Sequence, residues 1–140
     1  MSEDTRDHDP PGQPLADLAT LREYLRAELG DIKLRANGLR LTDPPIEIEW
    51  VPEHRQVRFF THLQIKVPPD RRADVAAAVA RGNELAGRTV WRTEPELTAE
   101  VVERTDADGA VWTREVDRAI AILRTSVARD AQALRRAAGA

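Results

Sequence analysis

The hydrophobic pattern changes period several times along the chain. Leu15, Leu18, Leu21, Leu25 and Leu29 recur three and four residues apart, which predicts one apolar stripe of a helix. Pro14 suits the first turn of that helix, where a missing N–H costs nothing, and Gly30 suits its end. From Ile32 to Thr42 apolar and polar residues alternate on both sides of Asn37-Gly38. Two readings stay open there: a short hairpin turning at Asn-Gly, or an irregular connection with a turn at that point. Asp43-Pro44-Pro45 then breaks the chain.

Ile46, Ile48 and Trp50 alternate with Glu47 and Glu49, the pattern of a half-buried strand. After a polar turn at Pro52–Gln56, the alternation resumes from Val57 to Val67. Val57, Phe59, Thr61, Leu63, Ile65 and Val67 share one face; Arg58, Phe60, His62, Gln64 and Lys66 share the other. The two runs predict an antiparallel hairpin with one packed face and one face open to solvent or a partner. Pro68-Pro69 stops the second strand, and Asp70 is placed to cap a helix. Val75, Ala78, Val79, Gly82, Leu85 and Ala86 form its stripe, and Gly87 its stop. Thr89–Thr93 reads as a short strand, and Leu97, Ala99 and Val101 alternate with Thr98, Glu100 and Val102 in the next. After a turn at Asp106–Gly109, a last helix begins near Thr113, read as its N-cap. Val116, Ile120, Leu123, Val127, Ala131, Leu134 and Ala138 are its stripe. The spacing resembles a coiled-coil seam, but packing on the domain's own sheet is the simpler expectation. The order α-(β)-β-β-α-β-β-α predicts an α+β fold, an antiparallel sheet flanked by helices, as one domain over residues 14–138. Residues 1–13, charged and containing Pro10, Pro11 and Gly12, read as a flexible acidic tail.

Composition narrows the class. The chain has 140 residues, 41% hydrophobic and 32% charged, enough for one domain with its own core. No apolar run approaches the ~18 residues of a membrane span. The acidic N-terminus lacks the basic start and apolar core of a secretory signal. With no cysteine, neither a disulfide nor a thiolate metal site is expected. A cytoplasmic protein with no membrane association is therefore the expectation. Net charge is −3, with residues 1–14 at −3 and the final helix from Thr113 at +3, which argues against a nucleic-acid footprint.

Candidate chemistry is sparse. His8, His54 and His62 do not show the convergent spacing of a zinc site. Ser2 and Ser126 are the only serines, and neither sits on a strand-to-helix elbow. Glu47 and Glu49 share a strand face, but a solvated charged face explains them better than acid–base work. No catalytic, metal-ligating or cofactor-binding residue is assigned, and no cofactor is expected. Trp50, Trp91 and Trp112 read as core or interface anchors whose N–H groups need partners. Phe60 is the exception, since alternation points it to the polar face. Val51 and Val102 would join it there in an apolar patch among charges. Val51, Arg58, Phe60, His62 and Val102 are the candidate partner-binding residues. A second copy of the chain covering this face, or a bulge burying Phe60, are the rival readings.

The segments IEIEWVPEHRQVRFFTHLQIKVP, VPPDRRADVAAAVARGNELAG (with Asn83 shortly before a glycine) and TVWRTEPELTAEVVERT, followed by the terminal helix, carry a family resemblance. Their order resembles that of YbjN-like proteins and type III secretion chaperones, over residues 15–136. The Asn37-Gly38 run and Arg88-Thr89-Val90-Trp91 depart from the family pattern. The resemblance implies a secretion-chaperone-like fold and a non-enzymatic protein that binds another polypeptide, often as a homodimer. It supplies no catalytic residues. Three functional readings follow: a chaperone- or adaptor-like peptide-binding module; a small-molecule binder or enzyme using Glu47, Glu49, Arg58 and His62; and, remotely, an RNA-binding module.

Overall fold

A computed structural model describes residues 12–42, 45–94 and 96–139, and every side chain among them except those of Leu85 and Ala86. Most of the acidic N-terminal segment, with His8, and the Asp43-Pro44 breaker lie outside the described residues. Along the chain come β1 (Pro14–Leu15), α1 (Leu18–Leu29), β2 (Ile32–Arg35), β3 (Gly38–Thr42), β4 (Pro45–Val51) and β5 (Gln56–His62). They are followed by α2 (Arg72–Ala86), β6 (Val90–Arg92), β7 (Thr98–Arg104), β8 (Val111–Trp112) and α3 (Thr113–Ala137). Short 3-10 turns occupy Pro52–His54 and Pro69–Arg71.

The architecture is α+β. Six strands form one antiparallel sheet in the order β2-β3-β4-β5-β7-β6, and β1 pairs with β8 in a separate two-stranded ribbon. The period-two pattern explains the layering. Leu39, Ile48, Phe59 and Val101 lie in one cross-strand row, and all are buried. Trp50 opposite Val57, and Trp91 opposite Ala99, extend the same buried face. The helices cover it: α3 crosses β5 and β7, α2 packs on α3 and β6, and α1 sits near β2 and β3. Val116, Ala119, Ile120, Leu123 and Leu134 are the buried stripe of α3, so this helix packs on its own sheet as expected.

Several boundaries differ from the sequence reading. Pro14 and Leu15 do not start the first helix; they pair with Trp112 and Val111. The helix starts at Leu18, because Asp17 caps it: its carboxylate accepts from the Thr20 N–H at 2.9 Å. Gln13 is not part of a free tail. Its N–H donates to Thr113 Oγ1 at 3.0 Å, and its carbonyl accepts from the Thr113 N–H at 3.0 Å. Thr113 thus ties down the N-terminal strand instead of capping α3.

The Ile32–Thr42 hairpin is present, but its two-residue loop is Ala36-Asn37, with Arg35 opposite Gly38. Neither loop residue has positive φ, so this is not the turn that Asn-Gly predicts. Gly38 is needed for closeness instead: a Cβ there would lie 1.8 Å from the Ile48 carbonyl oxygen. The strand expected to run to Val67 leaves the ladder after His62, where Thr98 is the last partner. Asp70 does not cap α2, since it sits within the preceding 3-10 turn.

Candidate functional site

Two surfaces of the sheet layer bear on function. The first is the outward face. Strand alternation brings Val51, Arg58, Phe60, His62 and Val102 onto it, together with Glu47, Glu49 and Glu100. Phe60 stands opposite Glu47 on one side and Glu100 on the other; Arg58 stands between Glu49 and Val102. The long charged side chains cross-link this grid. Arg58 Nη1 donates to Glu49 Oε1 at 2.7 Å, and its Nε donates to Glu100 Oε2. Arg92 Nη2 meets Glu100 Oε1 at 2.9 Å. Arg40 and Arg35 approach the two oxygens of Glu47 at 3.4 and 3.6 Å.

This web sets the state of the aromatic. The Arg58 guanidinium lies 4.7 Å from the centroid of the Phe60 ring, over its electron-rich face. The Arg58–Glu100 pair runs along one diagonal of the β5–β7 grid, between Phe60 and Val102 on the other diagonal. The three apolar residues therefore do not merge into one open patch, and Phe60 is half-buried. Burial opposes the Arg58 charge, but Glu100 and Glu49 outweigh it and hold the guanidinium above its ordinary range. His62 packs edge-on against Phe60 at 5.5 Å and places Nδ1 2.8 Å from Thr98 Oγ1. Hollows on this face measure only about 260 and 210 Å³.

The second surface lies on the helix side. A half-open groove of about 550 Å³ runs between α3 and the adjoining ends of β4 and β5. Its sheet wall is Pro45, Ile46 and residues 61–64; its helix wall is Leu123, Arg124, Val127, Ala128 and Arg135. The topology produces it. Helix α3 covers β5 and β7, and α1 covers β2 and β3, so the start of β4 lies between them. The lining is mainly apolar: Ile46, Leu63 and Leu123 are buried, Val127 is half-buried and Ala128 is exposed. A smaller hollow of about 220 Å³ between α1 and α3, with Leu25, Leu29 and Ile120 in its wall, shares Arg124. Among the described residues neither Arg124 nor Arg135 has an ion-pair partner.

The sheet edges also differ. At β6, Asn83 of α2 donates from Nδ2 to the Trp91 carbonyl at 3.1 Å and accepts the Trp91 N–H on Oδ1 at 2.6 Å. That side-chain amide occupies the position of a neighbouring strand and blocks the edge there. At β2, Leu34 faces the helix side yet is 54% exposed.

Other singled-out residues are structural. Ser126 is buried on Thr89, with the two hydroxyls 2.7 Å apart. The Trp91 and Trp112 indoles donate to Asp130 and Asp106, each at 2.9 Å. Among the described residues, no group of three or more His, Asp or Glu is placed to hold a metal ion, and no helix is long and apolar enough to cross a membrane. The groove was missed by sequence reasoning. Its one local signal is Arg124 and Arg135, eleven residues apart on one helix stripe, which also fits a basic helix end meeting its own dipole. No family model, characterised protein or solved structure matches the chain.

Proposed function

We propose that this protein is a polypeptide-binding module, chaperone- or adaptor-like, that takes a segment of its partner into the groove between α3 and the ends of β4 and β5. The observation that carries the reading is the groove itself: about 550 Å³, apolar-lined and open, on a helix whose Val116, Ile120, Leu123 and Leu134 are buried in the core. The YbjN-like and secretion-chaperone-like order of elements supports it, since that resemblance implies binding of another polypeptide. The outward face supports it less. Its carboxylates are engaged by arginines and its hollows are small, which weighs against a substrate pocket built from Glu47, Glu49, Arg58 and His62. Arg58 already occupies the ring face of Phe60 that a stacked RNA base would need.

A photo-crosslinking side chain placed at Val127 of the full-length protein tests this in cells. Partner polypeptides should be trapped at Val127, and a probe at exposed Arg81 on α2 should trap none of them. Val127→Glu should abolish retention of the same partners while circular dichroism stays unchanged. Equal trapping at both positions, or no polypeptide at either, overturns the reading. Trapping of a second copy of this chain alone would make the groove a homodimer interface and also overturn it.

A further inference from the structure

The two groove arginines carry more than a general affinity for peptides. Arg124 and Arg135 are eleven residues apart, so they lie on one stripe of α3, three turns and about 16 Å apart. Exposed Ala128 lies on that stripe between them, next to half-buried Val127, and both line the groove. The stripe therefore reads cation, apolar floor, cation. Many other arginines are committed: Arg58 to Glu49 and Glu100, Arg88 to Glu103, Arg129 to Asp130. These two have no ion-pair partner among the described residues, and both border the apolar groove.

Resting on the polypeptide-binding reading, we infer that the groove selects an extended acidic segment, with two carboxylates about five residues apart bracketing apolar side chains. The spacing follows from the helix. A strand advances ~3.3 Å per residue, so five residues cover the ~16 Å between the arginines. A helical ligand would need its carboxylates about eleven residues apart to span the same distance, since a helix rises only ~1.5 Å per residue. The carboxylates meet Arg124 and Arg135 in forked hydrogen bonds, and the apolar residues between them cover Val127 and Ala128. Charge supplies selectivity and apolar contact supplies affinity.

Fluorescence anisotropy with three labelled peptides of one apolar sequence tests this. They carry Glu, Gln or Lys at the two positions five residues apart. The Glu peptide should bind the full-length protein about tenfold more tightly than the Gln peptide, the scale of two partly exposed ion pairs. Added salt should shrink that ratio. The double variant Arg124→Glu/Arg135→Glu should reverse the order in favour of the Lys peptide. Arg124→Gln/Arg135→Gln, which introduces no repulsion, should make the Glu and Gln peptides equal. Equal affinity of the Glu and Gln peptides for the unaltered protein overturns the acidic selection but leaves the groove reading standing, provided Val127→Glu weakens both. If Val127→Glu weakens neither, the groove reading falls as well.

Discussion

Trp91 is held on three sides, and each contact carries a different consequence. Its indole N–H donates to Asp130 at 2.9 Å, its backbone is clamped by Asn83, and its ring lies so close to Gly82 that a Cβ there would sit 3.2 Å from Cδ1. Asp130→Ala leaves a buried indole N–H without an acceptor. Urea unfolding should show a loss of about 1–3 kcal/mol. Asp130 also makes stability depend on pH. Hydrogen bonding from Arg129, then from Trp91, holds its carboxyl below the ordinary 3.8, against burial, which pushes it up. A lowered folded-state value stabilises above 3.8, and the contribution is lost as pH falls through the folded value. The melting-temperature gap between the unaltered protein and Asp130→Asn should therefore be full near neutrality and close below pH 3.8. That Trp91 needs a buried N–H partner was legible from its residue type. That Asp130 supplies it was not, because 39 residues separate them and only the packing of α3 against β7 and α2 brings them together.

At the scale of elements, periodicity located the strands and helices, and local chemistry misplaced some of their ends. Leu15 fits the helical spacing of Leu18 and Leu21, yet it is buried as a strand residue opposite Val111. Asp17 decided the helix start, because a carboxylate that accepts the Thr20 N–H satisfies a donor that proline merely lacks. The β5 alternation continues in sequence to Val67, but β7 begins at Thr98, and past the His62–Thr98 pair the contact fades with a Leu63 N–H to Leu97 carbonyl bond of 2.9 Å. A strand ends where its neighbour does, and that is a long-range fact. Gly38 shows the same limit. As part of Asn-Gly it looked like a turn glycine; in place, it lets β3 approach the Ile48 carbonyl. Gly38→Ala should force the β3–β4 pair apart at a cost of about 3 kcal/mol, the upper end for overpacking, seen as a lower urea midpoint. Its amides opposite Glu49 should lose hydrogen-exchange protection in the same variant.

For the molecule as a whole, the sheet order places β4 and β5 at the centre and leaves two unequal edges. Amide exchange should be slowest at Ile48 and Phe59, which are paired and buried in that centre. Trp91, although on edge strand β6, should exchange slowly because Asn83 accepts its N–H, and Asn83→Asp should keep that protection while weakening the clamp, since a carboxylate cannot donate to the Trp91 carbonyl. Amides of β2 should exchange faster than that of Trp91. By itself the sequence determined the α+β class, the existence of most elements and which side chains face inward or outward. Those properties follow from the two- and 3.6-residue periods, which are local. Phe60 was rightly placed outward, for example, from alternation alone. Only the tertiary structure decided that Arg58 would roof that ring, that Asn83 would close one edge, and that a groove would open beside Arg124 and Arg135. Each of these depends on which distant element lies against which, and no local pattern of residues contains that information.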